Sequence, residues 1–282
     1  MPRSADISPL SVLLARVDAI ADGSPASDTL ACGFPSLDKM LGGGFRRGDL
    51  VVLGGDVASG KSALALAFAL RATRLGGHAA FFTSEMTVQR VLERVIAIEG
   101  RVAIDDLRQG ALDDVARANA GAVTVRLRES LPLIERLPAH VSALGEMIDD
   151  RQKLDLMVAD SLSSFAAGRH SHDEELAATI RDLKRFAVDR NISVLTTAPL
   201  PHLVARPDRR PLLDDFGALG AVKQHADVIL ALFREDMYEP SRDIAGATEL
   251  LVRKNRNGPT GYVDLYFYAK WMRFEDMLDP DQ

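Results

Sequence analysis

The segment Gly55-Asp56-Val57-Ala58-Ser59-Gly60-Lys61-Ser62 restricts what this chain can become more than any other stretch. It reads G-x-x-x-x-G-K-S, the pattern of a loop that wraps nucleotide phosphates. Such a loop needs glycine where the backbone turns sharply and phosphate oxygens come close. It also needs a lysine cation for the outer phosphates and a hydroxyl to ligate Mg²⁺. Leu50-Val51-Val52-Leu53 before the loop reads as a buried strand, and Ala63 to Leu70 after it as a helix. The loop therefore opens a helix, where anions bind. Phosphate binding falls to Gly55, Ala58, Ser59, Gly60, Lys61, Ser62 and Ala63, with Lys61 also a catalytic cation and Ser62 a metal ligand. The expected ligands are ATP and Mg²⁺.

A chain of 282 residues with 47% hydrophobic content can build one large α/β core or two small domains. The net charge of −6 provides no global basic field, so any nucleic-acid contact must come from a local patch. Cys32 is the sole cysteine, which excludes a disulfide framework and suits a reducing cytoplasm. No apolar run is long enough to span a membrane, and no secretory signal is evident at the N-terminus. The expectation is a cytoplasmic protein.

Residues 1–28 read as a tail, a short amphipathic helix at 9–21 and the flexible linker Asp22-Gly23-Ser24-Pro25-Ala26-Ser27. A helix set apart by such a linker either docks on a neighbouring subunit or folds back on its own domain. Residues 29–282 read as one domain of alternating strands and helices. Strands are expected at 50–54, 79–84, 122–126, 155–159, 193–197, 227–232, 249–253 and 263–268. Helices are expected at 61–74, 87–98, 138–151, 173–190 and 218–224. The alternation predicts a mostly parallel sheet with helices on both faces, closed by a C-terminal antiparallel hairpin across Asn257-Gly258-Pro259-Thr260-Gly261.

Hydrolysis of a nucleoside triphosphate needs more than a phosphate cradle. It needs a second carboxylate near the metal, a group that orients water, and a cation for the charge developing on the γ-phosphate. Leu156-Met157-Val158-Ala159-Asp160 is an apolar run ending in an acid, which offers Asp160 as a partner of Mg²⁺. Ala79 to Thr83 leads to Glu85, either a general base or a glutamate stabilised at the start of the next helix. Lys254 and Arg256 alternate along a strand end, so both can point to one phosphate, as a finger in a neighbour's site or as a solvated charge run. Arg206, Arg209 and Arg210 lie in a Pro-flanked loop that either touches a nucleic-acid backbone or is merely solvated.

Taken together these segments resemble the helicase domain of the DnaB-type replicative helicases, RecA-fold hexameric motors. The resemblance rests on Gly33-Phe34-Pro35-Ser36-Leu37-Asp38, Gly48-Asp49-Leu50, the phosphate loop, Ser84-Glu85-Met86 and Glu99-Gly100-Arg101-Val102. It continues through Gln224-His225-Ala226-Asp227, Arg256-Asn257-Gly258-Pro259-Thr260-Gly261 and Arg273-Phe274-Glu275. It implies a RecA-like P-loop core, Glu85 as catalytic base, and Lys254 and Arg256 acting in trans on the adjacent subunit's γ-phosphate. It also implies a homo-oligomeric, hexameric ring held through the helix at 9–21, with single-stranded DNA as partner. The family's N-terminal collar domain has no counterpart in this sequence, which leaves room for a separate collar or loader protein.

Two departures bear on DNA. Where the family has a γ-phosphate-sensing glutamine, this chain has Pro199, which offers neither an amide side chain nor a backbone N–H. Where the family's DNA loop carries Arg-Glu-Ser-Gly, this chain reads Gly217-Ala218-Leu219-Gly220. Losing a cation from every subunit of a ring weakens phosphate-dominated binding. The main reading is an ATP-dependent helicase or translocase. The alternative is a diverged ATPase ring, resembling RecA, RadA or KaiC, with a regulatory role; the Leu41-Gly42-Gly43-Gly44-Phe45 run would suit it.

Overall fold

The computed structural model describes residues 9–22, 28–148, 153–165, 171–203, 206–239 and 244–277. Helix α1 (Pro9–Ala21) precedes β1 (Thr29–Leu30), α2 (Pro35–Met40) and β2 (Phe45–Arg46). The central run is β3 (Leu50–Gly55), α3 (Lys61–Arg74), β4 (Ala79–Thr83), α4 (Val88–Gly100), α5 (Ile104–Gln109), α6 (Asp114–Arg126), β5 (Leu133–Arg136) and α7 (Val141–Met147). Then come β6 (Leu156–Asp160), α8 (His172–Arg190), β7 (Ser193–Pro199), α9 (Ala221–His225), β8 (Val228–Phe233), β9 (Ala247–Asn255), β10 (Gly261–Tyr268) and β11 (Arg273–Asp276).

Nine strands form one sheet in the order β11-β10-β9-β8-β3-β7-β6-β4-β5. From β8 to β5 all neighbours are parallel, and β9, β10 and β11 extend the sheet antiparallel. Successive strand residues point to opposite faces, so a strand covered on both sides must be apolar throughout. In β3, Val51 and Leu53 join the core built on α3 with Leu64 and Phe68. Leu50 and Val52 join the opposite core with Ile180, Leu183 and Ala187 of α8. This is the expected RecA-like layering.

Some expectations moved. Residues 122–126 are not a strand but the end of α6, whose N-terminus is capped by the Asp113 carboxylate accepting from Ala116 N–H at 2.7 Å. The Ala-rich stretch ahead of Val123 and Val125 extends that helix, and tertiary context overrides the β preference of the two valines. The edge strand is β5 instead. The helix expected at 138–151 is the shorter α7, with 149–152 outside the described residues. The one expected at 218–224 is a 3₁₀ turn followed by α9, broken at Leu219 with φ 52°. The tail at 1–8 and most of the linker, 23–27, also lie outside the described residues.

Candidate active site

In a parallel sheet the C-terminal strand ends share one edge, where ligands bind. Here that edge brings together the ends of β3, β4, β6 and β7 around a cavity of about 650 Å³, reached by Lys61, Ser62, Glu85, Asp160 and Thr197. The phosphate loop joins β3 to α3. A Cβ on Gly55 would sit 2.7 Å from Ser59 Oγ, and Gly60 turns at φ +103° with Phe274 close behind it, so both positions need glycine. Ala58 also adopts a left-handed φ of 62°. Lys61 Nζ donates to the Asp56 carbonyl at 2.6 Å, and burial lowers its pKa.

The Asp56 side chain is anchored separately. It pairs with His202, and Tyr238 OH donates to it at 3.0 Å. Burial pushes this carboxyl upward, but those hydrogen bonds outweigh burial and hold it below its ordinary value. The His202 and Tyr238 rings stack at 4.9 Å, joining the chain after β7 to the segment after β8.

Asp160 ends β6 fully buried. Ser62 Oγ donates to its Oδ1 at 3.1 Å and Thr197 Oγ1 donates to the same oxygen at 2.5 Å. Oδ2 is buried without a partner among the described residues. Burial, chiefly, raises the pKa of this carboxyl; Glu85 adds to it. A hydroxyl and a carboxylate with an open, desolvated oxygen form a donor set of hard oxygens that fits Mg²⁺. Thr197 was missed from sequence, although a polar residue near the end of an apolar strand beside β3 is a usable signal.

Glu85 follows β4 and is exposed to the cavity. Its Oε1 accepts from Ser161 Oγ at 3.0 Å. The cap of α4 is Thr87, accepting from Arg90 N–H at 3.3 Å, so Glu85 does not serve as the cap.

Lys254 and Arg256 lie elsewhere. Lys254 pairs with Ile229 and Asn255 with Val228, at the start of β8. The phosphate-loop end of β3, Gly55, is level instead with Leu232, near the end of β8. Lys254 is thus three strand residues, about 10 Å, from that level, and Arg256 four or more, about 13 Å, further than either side chain extends. The two cations share a face, as their spacing predicted. Lys254 Nζ donates to the Lys223 carbonyl at 2.7 Å, and Arg256 Nε lies 3.0 Å from Asp227 Oδ1. Burial, and secondarily Arg256, lowers the Lys254 pKa.

The basic loop is internally paired. Arg206 forks onto Asp215 at 2.8 and 3.0 Å, Arg209 reaches Glu239 at 3.5 Å, and Arg210 grips Glu249. On α1, the described side chains of Leu10, Leu13, Leu14 and Val17 are more than half exposed.

A strand–loop–helix phosphate cradle facing a buried aspartate across a parallel sheet defines a P-loop nucleotide-binding protein of RecA-like fold. Its family is equally definite: residues 29–276 match the profile of the DnaB-like helicase C terminal domain, and the chain belongs to that family. It is similar to the replicative DNA helicase DnaB of Geobacillus stearothermophilus, 29% identical over 270 residues, covering 89% of this chain and 58% of the relative. It is 28% identical over 254 residues to the replicative DNA helicase DnaC of Bacillus subtilis, covering 87% of this chain and 56% of the relative. The chain thus spans a little over half the length of these relatives. Among solved structures, one described as an ATPase domain superposes with TM-score 0.86 at 22% identity, covering 98% of this chain and all of that one. A DnaB-like replicative helicase described with its interactions with primase gives 0.85 at 22% identity, covering 98% of this chain and 68% of that one.

Proposed function

We propose that this chain hydrolyses ATP with Mg²⁺ between the subunits of a homo-oligomeric ring, hexameric as in the family it resembles, and couples the cycle to movement along single-stranded DNA. The observation carrying this reading is the convergence of Ser62 and Thr197 on one oxygen of Asp160, leaving the other bare and buried. Ser62 and Asp160 would hold the metal. Mg²⁺ supplies charge neutralisation for the phosphate oxygens when bound. Lys61 exchanges the Asp56 carbonyl for an outer phosphate. Glu85, steadied by Ser161, accepts the proton of the attacking water. Lys254 and Arg256, out of reach of their own cradle, enter the neighbour's site. The exposed apolar side chains of α1 supply the grip between subunits.

Family membership favours the DnaB type over the RadA or KaiC type. DNA as partner is inferred from what the relatives are named for, replicative DNA helicases. The DNA contacts of Arg206, Arg209 and Arg210 require each guanidinium to exchange its own carboxylate for a backbone phosphate, which lowers the net gain.

Two measurements test the proposal. Lys61→Ala should abolish ATP affinity, whereas Glu85→Ala should retain it and lose about 10²–10⁴-fold in turnover. Near wild-type turnover in Glu85→Ala removes the base assignment. Saturating single-stranded DNA should raise the hydrolysis rate of particles whose mass in nucleotide is that of a ring; an unchanged rate leaves an ATPase but not a DNA motor.

A further inference from the structure

The second position of G-x-x-x-x-G-K-S is open to any residue, and here it holds a carboxylate, Asp56. A carboxylate in a loop that wraps phosphates opposes its ligand by like-charge repulsion. It also competes for the lysine. Lys61 Nζ donates to the Asp56 carbonyl at 2.6 Å, and the Asp160, Asp56 and Glu85 charges all act on it. Carbonyl and carboxylate belong to one residue, so a carboxylate turned about its Cα–Cβ bond has the ammonium beside it. An ion pair there would occupy the cation that the outer phosphates need.

That carboxylate is held the other way. Its Oδ1 accepts from Val57 N–H at 2.6 Å, and its Oδ2 takes His202 Nδ1 and Tyr238 OH, the latter at 3.0 Å. Burial opposes the charge, but these bonds outweigh it, so Asp56 stays ionised and paired. The two rings are placed for this. Pro199 is level with Gly55, and Leu200 N–H donates to the Gly55 carbonyl at 2.8 Å, which carries the chain after β7 past the phosphate loop to His202. Tyr238 stacks on the imidazole at 4.9 Å and on Phe233, the last residue of β8, at 5.8 Å. The Arg209 guanidinium lies 5.5 Å from the Tyr238 ring.

We propose that His202, backed by Tyr238, is a positioning residue for nucleotide binding: it holds the Asp56 carboxylate off Lys61, so the ammonium is left for an outer phosphate. This rests on the ATPase reading above. His202 acts through Asp56 and Lys61 and makes no contact with nucleotide itself. Without the imidazole, carboxylate and phosphate compete for one ammonium, which weakens affinity and is overcome at saturating nucleotide.

The experiment is a double-variant cycle in the full chain: wild type, His202→Ala, Asp56→Asn and the two together. Affinity for a non-hydrolysable ATP analogue with Mg²⁺ and turnover at saturating ATP are measured for each, with the apoprotein melting temperature to show that it is folded. His202→Ala should weaken analogue binding by about 10-fold and keep saturated turnover within about threefold of wild type. Asp56→Asn should bind at least as tightly as wild type, and in that background His202→Ala should cost less than about twofold. A ring that only supports the fold would cost the same with either residue at position 56. Equal losses in the two backgrounds, no loss from His202→Ala, or weaker binding in Asp56→Asn alone overturns the proposal. His202→Leu, which keeps bulk against Tyr238 and removes the ring nitrogens, should repeat the loss; failure of both His202 variants to fold gives the ring a structural role and equally overturns the proposal. The control is Lys61→Ala. If wild type does not bind the analogue, or binds it equally well without Lys61, the ATPase reading fails and the role of His202 falls with it; the outcomes above overturn the role of His202 alone.

Discussion

Asp160 shows how one residue sets stability against function. Its carboxyl is buried, accepts two hydroxyl bonds on one oxygen and leaves the other bare. Burial raises its pKa above the ordinary 3.8. Between 3.8 and the raised value the folded protein holds a proton that the unfolded chain has released, so stability falls as pH rises through that window. Above the window the full cost of the buried charge is present. Asn keeps an oxygen for Ser62 and Thr197 and removes the charge. Asp160→Asn should therefore match wild type near pH 4 and become more stable above it, by about 0.5–2 kcal/mol at neutral pH, as is usual when a functional strain is relieved. Adding Mg²⁺ with nucleotide should stabilise wild type and leave Asp160→Asn nearly unmoved. Thermal melting across pH, with and without Mg·ATP analogue, checks this. A variant less stable than wild type at every pH would show that the carboxylate is a structural anchor.

The junction between α9 and β8 ties three elements together. Asp227 is 2% exposed; its Oδ2 accepts from Leu50 N–H at 2.8 Å and from Lys184 Nζ at 2.6 Å, and its Oδ1 faces Arg256 Nε at 3.0 Å. One carboxylate thus fixes the start of the phosphate-loop strand, a cation from α8 and the arginine that follows β9. Asp227→Ala should cost roughly 3 kcal/mol, since it strands a buried N–H and a cation. Lys184→Ala should cost less, and the double variant should show less than the sum. Chemical denaturation of the apoproteins measures all three; additive losses would mean that the cluster does not act as a unit. The sheet and the phosphate loop were legible because a strand buried on both faces must be apolar and a cradle must be glycine-rich. The placement of Asp160 and Glu85 at the cavity was legible because the C-terminal strand ends of a parallel sheet share one edge. The region between α4 and β6 was not legible. There α6 carries β-branched residues through an Ala-rich helix, and the edge strand β5 is only half-buried, so neither displays its own period.

On the scale of the whole molecule, the phosphate cradle and the Lys254–Arg256 pair lie apart. The cradle, Asp160 and Glu85 stand at one edge of the sheet, while Lys254 and Arg256 stand near the opposite end of β8, about 10 Å away along the strands for Lys254 and about 13 Å or more for Arg256. Side chains cannot close that gap within a subunit. If the pair acts on a phosphate, it acts on the neighbour's, so each working site needs a cradle from one copy and a finger from the next. Two crippled variants should then repair each other. Lys61→Ala loses its cradle and keeps its finger; Arg256→Ala keeps its cradle, binds ATP and loses about 10³-fold or more in turnover. In a mixed ring, every Arg256→Ala cradle that meets a Lys61→Ala subunit's finger is complete. Mixing the two at equal amounts, after dissociation and reassembly with nucleotide, should recover about a quarter of wild-type activity if subunits mix at random and sites fire independently. A mixture no more active than its parts, with mixed particles verified by mass, would place the finger's action within the subunit or remove it altogether. Substituting Leu10, Leu13, Leu14 and Val17 of α1 by serine should prevent this rescue by preventing assembly, while leaving the fold of each subunit intact.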